Sequence, residues 1–141
     1  MGDECVYCAG DGGLVVYADA LCRVVVADEA YAGFCRVILQ RHLTEMTDLS
    51  PAERAALMRA VFAVEAALRE ILRPHKMNLA SLGNAVPHVH WHVIPRFADD
   101  ARFPQPVWGE PLREAAPRAL PEGFVAALTE RLVRELPGEA A

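Results

Sequence analysis

Between Pro87 and Pro95 the chain alternates histidine with large apolar residues, reading His88-Val89-His90-Trp91-His92-Val93-Ile94. A β-strand repeats every two residues. This stretch therefore points Val89, Trp91 and Val93 into a core only by presenting all three imidazoles to the opposite face. Three titratable side chains in succession on one strand face do nothing for packing. Imidazole is the side chain that serves as nucleophile, proton carrier or metal ligand near pH 7, so the chemistry of the chain is expected here.

The remaining composition narrows what that chemistry acts on. A chain of 141 residues is expected to form one domain, 1–141, with a real core. Within it we distinguish an N-terminal C-x-x-C segment 5–13, a core 14–97 and a tail 98–141. Hydrophobic residues make up 53%, yet no apolar run approaches the roughly 20 residues of a membrane span. The opening Met1-Gly2-Asp3-Glu4 lacks a basic stretch leading into an apolar one. A cytoplasmic protein with no membrane partner is expected. Net charge −5 argues against a nucleic-acid polymer as partner, which needs a basic face. It leaves room for a small phosphorylated ligand held by a few local donors.

The elements read as α+β. Leu14–Tyr17, Leu21–Val26 and Phe34–Leu39 are short β-rich runs, with Asp19-Ala20 as a hairpin turn. Ser50-Pro51-Ala52-Glu53 follows the capping-box pattern with proline at the first helical position. Leu57, Val61, Val64, Leu68, Ile71 and Leu72 continue an apolar stripe until Arg73-Pro74 stops the helix. Met77–Leu82 and His88–Ile94 predict two more strands around a Gly83-Asn84 turn, and Pro121 opens a C-terminal helix closed by Pro137-Gly138. This order predicts a mainly antiparallel five-stranded sheet with one long helix and a C-terminal helix.

Cys22 and Cys35 sit inside apolar runs and read as core thiols. Cys5 and Cys8 form a C-x-x-C beside Ala9-Gly10-Asp11-Gly12-Gly13. That is half of a zinc site rather than a thioredoxin-like pair, and it needs two more ligands. The histidine stretch itself has three readings: a solvated strand face, a three-histidine metal site, and nucleophilic catalysis by the central histidine. Successive same-face residues lie about 6.6 Å apart, which works against all three converging on one metal. The third reading is favoured.

His88-Val89-His90-Trp91-His92-Val93-Ile94 resembles the signature of the histidine-triad (HIT) nucleotide hydrolases and transferases, down to the apolar character of each intervening position. The resemblance extends over about residues 5 to 108. It takes in Gly33-Phe34-Cys35-Arg36-Val37-Ile38, Arg41-His42, Leu82-Gly83-Asn84-Ala85-Val86-Pro87 and the tail Phe103-Pro104-Gln105-Pro106-Val107-Trp108, which resembles that of a bacterial branch. It implies a HIT-like fold and cleavage at the α-phosphorus of dinucleoside polyphosphates or nucleoside phosphoramidates, through a nucleotidyl-histidine intermediate. On this resemblance His90 is the nucleophile, and His92 contacts the phosphate and protonates the leaving group. His88 flanks the site, its ring or backbone carbonyl steadying the reacting groups. Asn84 offers an amide to phosphate or simply shapes a turn, and Asp28 contacts the ribose hydroxyls or simply ends a strand. Where many members carry a hydroxyl before the triad, Ala85 has none, which puts their leaving-group preference in doubt for this chain.

The resemblance also completes the half-site. Some relatives hold a structural zinc with an N-terminal C-x-x-C, a histidine after the third strand and the first triad histidine. Those positions are Cys5, Cys8, His42 and His88 here, a closed set suited to a structural metal; no organic cofactor is expected. His75 reads as a solvated helix-end residue. Trp108 either packs near a base or anchors the tail, with the anchor preferred. A homodimer is implied by the resemblance alone. The alternative to an enzyme is a non-catalytic, zinc-stabilised nucleotide-binding sensor or scaffold.

Overall fold

A computed structural model describes residues 4–27 and 30–140. After a single helical turn α1 (Val6–Ala9), three strands follow: β1 (Leu14–Ala18), β2 (Cys22–Val26) and β3 (Cys35–Leu39). The long helix α2 (Pro51–Leu72) leads to β4 (Lys76–Ala80) and β5 (His90–Arg96); α3 (Phe124–Glu135) and the two-residue β6 (Glu139–Ala140) complete the chain. The order across the sheet is β4-β5-β3-β2-β1-β6, and every pairing is antiparallel. Five principal strands agree with the sequence reading. The short sixth adds C-terminal backbone to the free edge of β1.

Local chemistry sets the turns and caps. Asp19 Oδ1 accepts from the backbone N–H groups of Leu21 and Cys22, each at 2.8 Å, which folds the β1–β2 hairpin. At the start of α2, Glu53 N donates to Ser50 Oγ at 3.1 Å and Ser50 N donates to Glu53 Oε1 at 2.9 Å, the reciprocal pair of a capping box. Arg73 ends α2 in the left-handed region at φ 49, ahead of Pro74. The C-terminal helix begins three residues later than Pro121 implies. Pro121 instead accepts from Phe124 N in a turn closed by Gly123 at φ 78.

One sheet face carries the core and the other carries the site. Leu57, Ala60, Val61, Val64, Ala67 and Leu68 of α2 pack with Val24, Cys35, Val37, Leu39 and Val93 of the sheet and with Phe124, Leu128 and Leu132 of α3. Burying each larger apolar side chain stabilises the fold by about 1.5–3 kcal/mol. Cys22 and Cys35 belong to this core, and burial pushes both thiols up to about 12. On the opposite face Val25 and Ile38 meet Cys5 and Tyr7, so the N-terminal segment is laid across the sheet. Gly12 permits that approach, because a Cβ there would stand 2.7 Å from Ile38 Cδ1.

Candidate active site and metal-ligand cluster

The β3–β5 ladder places the histidines. Arg36 is paired with His92 and Ile38 with His90, so His90 and His92 share the face that lies away from α2. Val93 is fully buried on the helix side, Val89 is 5% exposed and Trp91 packs partly buried against the same core. The alternation holds, but regular pairing begins at His90. Val89 is drawn between Leu39 and Leu43, with Leu39 N donating to Val89 O at 3.1 Å and Val89 N donating to Leu43 O at 2.8 Å. His88 therefore stands just ahead of the strand, with its ring against those of Tyr7 and His42.

His88 uses every polar group it has. Its Nε2 lies 2.6 Å from the carbonyl of Leu39. A carbonyl only accepts, so Nε2 carries the proton and Nδ1 presents a lone pair. Nδ1 lies 3.4 Å from Cys5 Sγ, 3.5 Å from Cys8 Sγ and 3.2 Å from His42 Nδ1, while Cys8 Sγ lies 3.3 Å from His42 Nδ1. All four ligand atoms lie within 4.8 Å of one another. Bonds of about 2.3 Å to sulfur and about 2.0–2.1 Å to nitrogen give tetrahedral edges of about 3.3–3.8 Å, and the observed separations of 3.2–3.5 Å are close to these. An accepting nitrogen facing a second imidazole nitrogen and two sulfurs fits a shared cation. The cluster can hold a metal ion, and sequence separations of 34 to 83 residues are closed to make it.

The third polar group of His88 meets the next histidine. His90 Nδ1 lies 2.6 Å from the His88 carbonyl oxygen, so Nδ1 is the protonated nitrogen and Nε2 keeps its lone pair. Burial holds the His90 pKa below the usual histidine value, and the Arg36 guanidinium adds to this. Tyr7 packs edge-on against His90 at 4.9 Å and against His88 at 5.9 Å between ring centres. His92 lies 4.9 Å from His90 and 5.6 Å from Phe34. Burial first, then the neighbouring His90 and Arg36, lower its pKa to about 4, and its Nδ1 is buried without a hydrogen-bond partner among the described residues. At neutral pH both imidazoles are uncharged.

The other sequence candidates are placed as follows. Asn84 is exposed in the connection between β4 and β5. Asp28 lies outside the described residues. His75 is exposed, with its ring 5.1 Å from Phe103. Trp108 departs from the preferred reading: it is 52% exposed, with its ring 5.0 Å from His92. Val107 anchors the tail instead, buried with Ala27, Phe34 and Ile94.

Sequence reasoning missed Tyr7 and three arginines. Arg23, 7% exposed, donates to the carbonyls of Tyr7, Gly10 and Asp11 and to Gln40 Oε1, which pins the C-x-x-C segment onto β2. Arg36 lies over Phe34 at 5.3 Å and donates to Gly12 O at 3.4 Å. Arg96, 1% exposed, binds Asp100, Asn78 Oδ1 and the Gln105 carbonyl, which ties the tail to β5. The available signal was a cation inside an otherwise apolar strand, since such a group is buried only when satisfied.

Comparisons with known proteins agree with this geometry. The family model for the HIT domain matches residues 12–99, and the chain belongs to that family. It is 32% identical over 98 residues to an AP-4-A phosphorylase of Mycobacterium tuberculosis, covering 64% of this chain and 50% of that protein. It is 33% identical over 69 residues to an asymmetrical bis(5'-nucleosyl)-tetraphosphatase of Schizosaccharomyces pombe, covering 45% of this chain and 38% of that one. The chain thus spans half the length, or less, of these curated relatives. Among solved structures, a histidine triad protein from Bradyrhizobium japonicum superposes with a TM-score of 0.68 at 31% identity, over 90% of this chain and 92% of its own. A zinc-bound histidine triad family protein from Mycobacterium smegmatis shares the fold with a TM-score of 0.67 at 24% identity, over 95% and 96%.

Proposed function

We propose that this protein is a nucleotide hydrolase or nucleotidyl transferase acting at the α-phosphorus of dinucleoside polyphosphates, with His90 as the nucleophile. The observation that carries this reading is the 2.6 Å contact from His90 Nδ1 to the His88 carbonyl, because it leaves Nε2 unprotonated on the open sheet face. Attack by Nε2 forms an N–P bond as the bond from the α-phosphorus to the departing oxygen breaks. Water then attacks the same phosphorus, the N–P bond breaks, the water proton passes to solvent and the ring returns to its starting tautomer. His92 donates an N–H to the phosphate oxygens in this scheme, and Asn84 and Asp28 are proposed for phosphate and ribose.

The leaving group separates the two substrate classes. An amine must be protonated as it departs from a phosphoramidate. A nucleoside polyphosphate, with a last pKa of about 6, departs as an anion. With His92 held near a pKa of about 4 and no hydroxyl at Ala85, the site has little to protonate an amine with. Polyphosphates are therefore favoured over phosphoramidates. The similarity to an AP-4-A phosphorylase and to an asymmetrical bis(5'-nucleosyl)-tetraphosphatase supports the same choice.

We also assign a structural zinc to Cys5, Cys8, His42 and His88; its four protein ligands leave no open position for chemistry. The family resemblance supports a homodimer built from this single domain. No helix among the described residues is long and apolar enough to cross a membrane, which is compatible with a cytoplasmic place.

The test is mass spectrometry of protein quenched without acid after incubation with diadenosine tetraphosphate, comparing wild type with His90→Ala. An adenylyl adduct on the peptide containing His90, absent in a variant that still binds nucleotide but no longer turns it over, is the expected result. Turnover at the wild-type rate in His90→Ala removes the nucleophile assignment. Binding without adduct or turnover in wild type favours the sensor reading.

A further inference from the structure

The site's ring contacts run in one file. Tyr7 meets His90 at 4.9 Å, His90 meets His92 at 4.9 Å, and His92 meets Trp108 at 5.0 Å. Tyr7, His90 and His92 are 8%, 5% and 7% exposed, whereas Trp108 at the end of the file is 52% exposed. An indole is among the most favourable side chains to bury, and leaving half of it in water forfeits that gain. Packing does not ask for it here, because Val107 already seats this part of the tail.

The indole nevertheless stands on a fixed backbone. Gly109 N donates to Pro106 O at 2.9 Å, Arg102 Nε donates to Gly109 O at 2.7 Å, and Arg102 Nη1 donates to the Tyr31 hydroxyl at 3.0 Å. A half-exposed aromatic ring held this way beside a phosphate-facing histidine is pre-organised to stack on something planar.

We propose that Trp108 forms a stacking subsite for the departing half of the substrate, specifically for an aromatic base carried on the leaving polyphosphate. This rests on the reading of His90 as nucleophile. At the other end of the file the buried Tyr7 and His88 close the site against the metal-ligand cluster, so an extended substrate leaves past His92, at the Trp108 end. Displacement in line with His90 directs the departing oxygen away from that ring, and the half-exposed indole is the end of the file that meets solvent. Stacking on a π-face discriminates poorly among bases. The subsite therefore selects substrates that carry a second base over those that do not, and leaves base identity largely unread.

Two substrates that differ only in that second nucleoside provide the test: diadenosine tetraphosphate and adenosine tetraphosphate. In Trp108→Ala the ratio of kcat/KM between them should fall on the order of tenfold, as expected for losing one base–aromatic stack, and Trp108→Phe should recover most of it. In parallel, the emission difference between wild type and Trp108→Phe isolates the Trp108 signal, because Trp91 is common to both. That signal should be quenched by the dinucleoside and much less by the mononucleoside. An unchanged ratio in Trp108→Ala, or equal quenching by both ligands, overturns the subsite. If wild type turns over neither substrate, the nucleophile reading fails and the titration alone decides: selective quenching sustains the subsite and its absence removes it.

Discussion

Replacing Cys8 by serine isolates the metal cluster from the rest of the fold. Cys8 is exposed, so the change removes little packing, yet its sulfur is one of four ligand atoms gathered within 4.8 Å. A hydroxyl is a poor substitute for a thiolate on zinc, and the site drops to three good ligands. A metal that binds only the folded state stabilises it by about 2.7 kcal/mol at a free concentration of 100 Kd and about 4.1 kcal/mol at 1,000 Kd. At roughly 2–4 °C per kcal/mol for a chain near this size, the variant should melt about 5–16 °C below wild type. A strong chelator should lower wild type to the same place and leave Cys8→Ser almost unmoved. Turnover should suffer less than stability, because the Leu39 carbonyl at 2.6 Å still holds the His88 ring, and the His88 carbonyl still holds His90. Thermal unfolding with and without chelator, with zinc content measured on the same samples, reads all of this. Stoichiometric zinc in Cys8→Ser, or a wild-type Tm indifferent to chelation, refutes the four-ligand assignment.

Two further outcomes follow from buried charge. His92 binds its proton with a pKa of about 4 in the fold against about 6.5 unfolded, so below pH 6.5 the unfolded chain takes up a proton that the native state refuses. Its contribution is complete above about pH 6.5 and is lost as pH falls toward 4, by about 2–3 kcal/mol. Stability measured against pH in His92→Asn should therefore show a flatter acid limb than wild type, and an identical slope contradicts the assignment. Arg96→Met leaves the half-buried Asp100 without the guanidinium that binds both its oxygens, at 2.8 and 3.0 Å. A loss of about 1–3 kcal/mol is expected by denaturant unfolding, and a loss under 1 kcal/mol shows that the tail is not held through this pair.

The strand, its core face and the central histidine were legible because a period of two is a local property that any folded context must respect. The same holds for the capping box at Ser50 and the stop at Arg73-Pro74. What was not legible depends on where backbone groups arrive from elsewhere. The alternation from His88 to Ile94 says nothing of Leu39 and Leu43 capturing Val89, so it extends the strand two residues too early. It equally hides the Leu39 carbonyl that fixes the His88 tautomer. Arg23 and Arg36 stand out among valines, but Arg23 reaches the main-chain oxygens of Tyr7, Gly10 and Asp11 and Arg36 reaches that of Gly12, which no side-chain pattern announces. The cluster of Cys5, Cys8, His42 and His88 came from resemblance rather than spacing, since its members meet only after the N-terminal segment is laid across the sheet.

The early end of the strand also explains how one repeat yields different roles. His88 lies beyond the last β3–β5 pair, with Tyr7 edge-on both to its ring and to that of His90. By leaving the ladder, His88 turns its Nδ1 into the cluster, gives its Nε2 proton to Leu39 and keeps its carbonyl for His90. The bond that sets the tautomer of His90, the proposed nucleophile, is thus made by the backbone of a residue whose side chain is held at both ring nitrogens. Orientation of His90 then depends on main-chain geometry and not on a neighbouring carboxylate. A carboxylate would raise the pKa of the imidazole, whereas a neutral carbonyl fixes the same tautomer with less stabilisation of the charged form. For the proposed attack on an anionic phosphate near neutral pH, a ring that is both oriented and unprotonated is what the chemistry requires.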